Sequence, residues 1–446
     1  MAAKKMKKPK MPASELFRRV ESIVEKGTGI KKRVKKIEGL PRSAGAQRQR
    51  VERGDGSEAR DGRAGAIEAA MKRLKQWHKA AGIGLLAALV FYLTTKPIMA
   101  HFDYTHRLAL ALLDGRLGLE EHPAWLNELV LIDGGRYYTG NYCLGAILSV
   151  VPFLFLSPHL LTALIAGTCV FAFFMLGSVE EMNLPRRTML ALFPVFGTWT
   201  WTNLGSGGAW DLSQGFGMVG QVGALYFTLV QRQPVVAGSF FALAFGNRAE
   251  LILTLPIYLF LMKQDWKRDW IGFLVVPCGL ALLTGEYNFA RFHSPFEFGY
   301  HRQKLMSEHR CQHGLFSIYP VAYNVYHMLF EGPSDMPTFP FMRPSPWGFS
   351  IFLASPFLFL LFREGGKHKV AAWTAIGLLT VVLLCHCSQG GWMFSSRYAM
   401  ILLPWMFLLL AGNGRLSAAE VALFAVSVAI NGVATWLFLW TEQIHV

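Results

Sequence analysis

From residue 81 almost to the C-terminus, apolar residues gather into long blocks separated by short polar joints. The first block, 81–100, is just long enough to cross a bilayer and carries Lys96-Pro97 near its far end. Further blocks fall at about 160–178, 188–203, 214–230, 235–247, 248–262, 270–285, 347–362, 369–387, 395–411 and 417–440. Blocks of this kind predict helices, because a helix satisfies its own backbone groups where water is excluded. Residues 143–157 form another apolar stretch, divided from the next by Ser157-Pro158-His159, and read as a kinked or re-entrant piece. The pattern thus predicts an all-α polytopic membrane protein with about eleven transmembrane helices.

Between the first blocks the pattern changes. Leu108–Leu119 is apolar but too short to cross, and predicts a helix lying in the interface and broken at Gly115. Glu120–Tyr142 reads as a polar loop whose Trp125, Tyr137 and Tyr138 suit the headgroup level. The first outer loop is therefore expected to hug the membrane. Runs 235–247 and 248–262 are each short for a span, so they predict a hairpin with its turn, Gly-Asn-Arg-Ala-Glu, slightly below the outer surface.

Charge orients the predicted spans. The joints Glu180–Arg187, Gln231-Arg232-Gln233, Lys263–Asp269, Arg363–Lys369 and Gly412–Arg415 carry the Lys and Arg, and alternation puts all five on one side. The first loop, Leu204–Ser213, the turn at Asn247-Arg248, Glu286–Pro346 and Cys387–Ser396 then share the opposite, outer side.

Composition agrees with this class: the 446 residues are 52% hydrophobic and only 16% charged, with a mean hydropathy of +0.31. The net charge of +15 is a local matter, since residues 1–79 hold 23 Lys and Arg against 9 Asp and Glu. That stretch predicts a basic, largely disordered cytoplasmic tail ahead of a transmembrane domain at 80–446; it anchors the N-terminus inside and argues against a nucleic-acid partner. The expected location is a cell (inner) membrane, multi-pass.

The six cysteines predict no disulfide framework. Cys143, Cys169 and Cys278 belong to apolar runs. Cys385-His386-Cys387 and the stretch 308–313, which holds Cys311, lack the paired spacing of a structural zinc site. No cofactor is called for; a divalent metal is compatible, but no carboxylate cluster demands one.

Ionisable residues in or beside the apolar runs fall on the outer side: Asp103, Asp211, Arg248, Glu250, Glu286, Arg291 and Arg397. Such a convergence suits a charged, amphiphilic substrate. Arg248 and Arg397 each begin an apolar run and each want an anion, because a guanidinium keeps its proton. For Arg248 that anion is either Glu250 or a substrate phosphate. Asp103, in His101-Phe102-Asp103-Tyr104-Thr105-His106-Arg107, is either a helix-terminal residue paired with His101, His106 or Arg107, or a working carboxylate. Asp114 and Asp133 adjoin glycines in turn-like contexts and are weaker candidates.

The wider pattern resembles a known family. A first span ending in Asp103, then Leu-Leu-Asp-Gly-Arg-Leu, then Gly-Gly-Arg-Tyr-Tyr-Thr-Gly-Asn leading toward Val-Pro-Phe-Leu, is similar to the GT-C class of integral-membrane glycosyltransferases. The nearest likeness is to the dolichyl- or polyprenyl-phosphate-mannose-protein mannosyltransferase-like group. Asn247-Arg248-Ala249-Glu250, the segment Arg291–Tyr300 with Ser-Pro-Phe-Glu-Phe-Gly-Tyr, and Gly391–Tyr398 add to it; together they cover roughly 80–415. Two features depart from the group: Tyr104 stands where a second acidic residue is common, and Thr139–Tyr142 replaces the usual Pro-Pro.

The resemblance implies transfer of a sugar, with inversion, from a polyprenyl-phosphate donor to a glycan, lipid or protein acceptor at the outer face. It implies Asp103 as general base, and a positioned base is worth roughly 100- to 10,000-fold. Arg248 and Arg397 are expected to bind the donor phosphate, with His101, Tyr137, Tyr138, Glu250 and Tyr398 around the substrate. A transporter or flippase of lipid-linked sugars is the alternative; it favours internal repeats, and none is evident.

Overall fold

A computed structural model describes residues 55–132, 137–262, 266–303, 309–388 and 390–444. The chain is mostly helical. Among the described residues, four helical stretches are long and apolar enough to cross a membrane: Leu74–Thr94, Pro158–Val179, Lys267–Phe292 and Ala418–Trp440. Shorter apolar helices run over Leu144–Phe153, Pro234–Asn247, Ala249–Leu261, Lys369–Cys385 and Arg397–Ala411. Leu85, Leu86, Leu89 and Leu93 on the first long helix and Ile271, Val275, Leu282 and Phe289 on the third face outward, exposed. Apolar outer faces of this extent suit lipid rather than water.

Helix α1, Asp55–Thr94, differs from expectation at both ends. Residues 55–79, expected in the disordered tail, are helical and run straight into the first span, where Trp77 packs edge-on against Phe171. Residues 1–54 of that tail lie outside the described residues. The helix stops at Thr94 rather than Ala100, because Pro97 cannot donate to a continuing helix and restricts Lys96 before it. Indole N–H groups of Trp440 and Trp201 hold its end, donating to the Thr94 carbonyl at 2.9 Å and hydroxyl at 3.1 Å.

Helix α2, Tyr104–Leu113, starts four residues before the expected Leu108–Leu119 helix and ends six before its limit, closed by the expected break, a turn at Gly115 with φ of 76°. The polar loop beyond it is better ordered than expected. Strands β1, Val130–Ile132, and β2, Tyr137–Thr139, pair antiparallel with Leu131 opposite Tyr138. Next come α3, Leu144–Val150, and α4, Pro158–Leu176, with a break that confirms the kink at Ser157, which caps α4. Helices α1 and α4 touch backbone to backbone. A Cβ on Gly84 would lie 2.8 Å from the Gly167 carbonyl oxygen, and one on Gly167 2.6 Å from that of Gly84.

The 188–203 block divides into α5, Leu184–Phe196, and α6, Thr200–Ser206, while α7, Ala209–Leu229, is buried along nearly its whole length. The predicted hairpin is present. Helix α8, Pro234–Asn247, breaks at an extended Arg248, a 3-10 turn covers Ala249–Thr254, and α9 follows at Leu255–Leu261. At 1.5 Å per residue, α8 is about 21 Å long, short of the roughly 30 Å hydrocarbon layer. Gly145 of α3 meets Gly246 so closely that a Cβ on Gly145 would lie 2.6 Å from its Cα, which fixes where the break falls.

Helix α10 is Trp266–Phe292. The long segment after it contains an unpredicted amphipathic helix, α11, Val321–Leu329, with Asn324 and Met328 inward and Tyr323 and Tyr326 exposed. Two-residue strands β3, Ser334–Asp335, and β4, Met342–Arg343, follow. The 347–362 block is broken at Ser355 between α12, Ile351–Ala354, and a 3-10 helix, Pro356–Phe362. Its freed groups are satisfied by the last helix: Asn431 donates to the Ala354 carbonyl at 2.7 Å, and the Phe357 N–H donates to Ser427 at 3.0 Å. The remaining helices are α13, Lys369–Cys385, α14, Leu403–Ala411, and α15, Ala418–Trp440.

Two sequence expectations need correction. Cys311 and Cys387 form a disulfide across a sequence separation of 76, so neither is a free thiolate ligand. Spacing could not reveal it, because the pairing depends on a backbone contact: the Cys387 N–H donates to the Leu315 carbonyl and the Ser317 N–H to that of Cys385, each at 2.9 Å. Arg186 and Arg187, counted as joint cations, are buried. Arg186 pairs with Glu420 at 3.2 Å and donates to the Leu410 and Ala411 carbonyls; Arg187 donates to the Phe174 carbonyl at 2.6 Å.

Glu420 also accepts from the Ser417 N–H in a capping box at the start of α15. Removing one member of a buried pair leaves the other charge unmatched, at a cost of about 3–5 kcal/mol. Glu420→Ala should lower the denaturation midpoint in detergent micelles accordingly, and Arg186→Met with Glu420→Leu should recover much of the loss. Equal stability of Glu420→Ala and wild type would remove this clamp from the account.

Candidate functional site

The ends of several broken helices converge on a cluster of charged and aromatic side chains. Arg248, at the break after α8, donates to Glu250 through Nε at 2.8 Å and a terminal nitrogen at 2.6 Å. Its guanidinium carbon lies 4.9 Å from the Tyr398 ring centre. Arg397, next along the chain to Tyr398, opens the 3-10 turn Arg397–Leu402 that leads into α14. Its guanidinium lies 5.6 Å from the Tyr398 ring and 5.5 Å from the Trp210 ring. The two arginines therefore share one aromatic neighbour.

Their charges are balanced unequally. Arg397 faces Asp211 at 3.6 Å, beyond good hydrogen-bond length, and its buried Nε has no partner among the described residues. Asp211, in the first turn of α7, accepts instead from the Ser206 hydroxyl at 2.7 Å. The turn that presents Arg397 is held rigidly: Asn203 both donates to the Phe394 carbonyl at 2.9 Å and accepts from its N–H at 3.0 Å.

Glu128, which sequence reasoning missed, joins the cluster from the loop after α2. Its carboxylate accepts from the Trp210 indole at 2.9 Å, and its backbone N–H donates to the Tyr104 hydroxyl at 3.3 Å. Withdrawal from water raises the Glu128 carboxyl above its ordinary value, while the Trp210 N–H and the Arg397 charge act the other way. Burial also pushes the Tyr104 and Tyr300 phenols well up. Arg291 closes the cluster's side; it is buried, donates to Thr139 and the Gly140 carbonyl at 3.0 Å, and lies 3.9 Å from the Tyr287 ring centre.

Asp103 lies at the edge. It pairs with Arg107 at 2.7 Å and is part-exposed, which is the local pairing left open by the sequence. With Thr105 and His106 it borders a cavity of about 230 Å³ walled by Val150, Phe153, Leu156, Leu161 and Leu212. The link to the arginines runs through its neighbour Phe102, whose ring is 5.0 Å from Trp210 and whose carbonyl accepts from the Ala209 N–H.

Of the other expected residues, Glu250 and Tyr398 stand in the cluster, and His101, Tyr137 and Tyr138 do not. His101 is exposed against Phe102, Tyr138 stacks on His122, and Tyr137 packs on the small patch of Val130, Ile132 and Phe292. Asp114 is exposed and paired with Arg116 at 2.7 Å, Glu286 faces outward, and Asp133 lies outside the described residues. The one signal for Glu128 was an acid set among Leu126, Leu129 and Val130, an unusual neighbourhood for a solvated loop.

No known family model, curated protein or solved structure matches this chain.

A carboxyl raised by burial favours its neutral form in the fold, so its contribution to stability is fully present below the unfolded value of roughly 4.3 and is lost as pH rises through the folded one. Glu128→Gln, which keeps an oxygen for Trp210, should therefore be more stable than wild type at neutral pH and equal to it near pH 4. Thermal unfolding in micelles at both pH values measures this; a gap that does not narrow on acidification would show that Glu128 is not desolvated.

Proposed function

We propose that this chain is a GT-C-like membrane glycosyltransferase, with about eleven spans, a cytoplasmic N-terminus and a site at the outer face of the cell membrane. It takes a sugar from a polyprenyl-phosphate donor and passes it, with inversion, to an acceptor hydroxyl on a glycan, lipid or protein. The observation that carries this reading is the pair Arg248 and Arg397 at helix breaks around one Tyr398 ring, with Arg397 incompletely matched.

An incompletely matched guanidinium among apolar helices is suited to an anion that arrives with the substrate. Its planar donors fit two oxygens of a phosphate and meet the charge that grows there as the glycosyl bond breaks. Glu250 holds the Arg248 fork in place, and Tyr398 offers the sugar a flat face. The exposed apolar helices give a lipid carrier access from the side. Within this reading Asp103 is the acid that the resemblance names as base, beside an apolar cavity large enough for part of an acceptor.

The test is transfer of label from polyprenyl-phosphate hexoses in membranes holding wild type, Arg397→Ala or Asp103→Asn. Wild type should release polyprenyl phosphate as sugar is transferred. Arg397→Ala should lose roughly 100- to 1,000-fold, the cost of one preorganised donor at a developing anion. Asp103→Asn should retain donor binding and lose turnover if Asp103 is the base. Movement of the intact lipid-sugar between leaflets, with its glycosyl-phosphate bond unbroken, would replace the enzyme reading with the transporter one.

A further inference from the structure

A second polar centre adjoins Tyr398. His327, on α11, and Glu331, two residues beyond its end, are in direct contact, His327 Nδ1 to Glu331 Oε2. With the Nδ1 proton directed to the carboxylate, the other ring nitrogen is left as a proton acceptor. His327 lines a cavity of about 20 Å³ together with Asn324, Ser396 and Tyr398. That is room for one hydroxyl-sized group. Tyr398 and Ser396 belong to the segment that presents Arg397, so this cavity adjoins the proposed phosphate site.

The pair is held closely. Gly348 passes so near that a Cβ there would lie 2.5 Å from Glu331 Oε2 and 2.8 Å from His327 Nδ1. Asn324 anchors α11 by donating to the Leu384 and His386 carbonyls, each at 2.9 Å, and the Ser350 N–H donates to the Glu331 carbonyl at 2.9 Å. Tyr323 packs on the imidazole with ring centres 4.0 Å apart. The titratable groups facing His327 among the described residues are Glu331, Tyr323 and Tyr326 on its own segment and Tyr398 across the cavity, with the His386 ring packed on Tyr398 behind it.

We propose that His327, positioned by Glu331, accepts the proton of the acceptor hydroxyl. The inference rests on the glycosyltransferase reading and moves the base role from Asp103 to the His–Glu pair. As the hydroxyl oxygen bonds to the anomeric carbon, its proton passes to the imidazole. The bond from that carbon to the phosphate oxygen breaks, and the lipid phosphate leaves with the electron pair, opposite Arg248 and Arg397. Glu331 neutralises the imidazolium. Asp103, by contrast, is already paired with Arg107 and borders a separate cavity.

The experiment is the pH dependence of kcat/KM for transfer from polyprenyl-phosphate hexoses, with wild type, His327→Asn, Glu331→Gln, Gly348→Ala and Asp103→Asn in native membranes. Wild type should lose activity on the acid side as the imidazole takes up a proton. His327→Asn should be slower by roughly 100- to 10,000-fold and lack that acid limb. Glu331→Gln and Gly348→Ala, which disturb the pair without removing the ring, should both move the limb. A limb unmoved in both variants overturns the proposal, as does transfer by His327→Asn within threefold of wild type. Loss of the limb in Asp103→Asn alone returns the base role to Asp103. No transfer by wild type at any pH overturns the underlying reading, and this inference with it.

Discussion

An arginine inside an apolar helical protein keeps its positive charge, and the fold must answer that charge somewhere. The chain answers it in two ways. Arg186 is saturated: a carboxylate and two backbone carbonyls meet its guanidinium, and the result is a clamp between α5, α14 and α15. Arg397 is not: its carboxylate stands 3.6 Å away and one nitrogen is bare. The same side chain is thus structural where its donors are all used and available for chemistry where they are not.

Several helices stop short for local reasons: Pro97 ends α1, an extended Arg248 ends α8, and Ser355-Pro356 divides α12 from its 3-10 continuation. Each break frees backbone groups that hydrocarbon cannot satisfy, and neighbouring side chains take them up. Thr94 receives two indoles, Asn247 donates to Ser149, and Asn431 and Ser427 meet the break at Ser355. The buried polar residues of α15 have this work to do, although as a span it reads simply as an apolar block.

Hydropathy made the helices legible, and in several cases their limits; α8 begins and ends within a residue of its apolar run. The hairpin at Asn247-Arg248 was readable because two runs too short to cross had nowhere else to turn. Arg248, Glu250, Arg397 and Tyr398 were found because charge beside an apolar block is conspicuous. Glu128 was hidden because nothing local distinguishes an acid that will meet Trp210 some eighty residues later from one that faces water. Helix α11 was hidden because its few apolar residues are interleaved with tyrosines, and the Cys311–Cys387 link because it depends on the docking of two distant strands of chain. The tail failed at its inner end, where a charged stretch borrows helical order from the span it feeds.

The Cys311–Cys387 bond also sets an order of assembly. It joins two parts of the chain that are far apart in sequence and closes only where thiols are not kept reduced. The chain between them contains α11, α12 with its 3-10 continuation, and α13, so the link closes a long loop of helices. It cannot close until Cys387 has followed Cys311 out of synthesis, 76 residues later, so the pinning of residues 309–317 belongs to the late events in building the molecule.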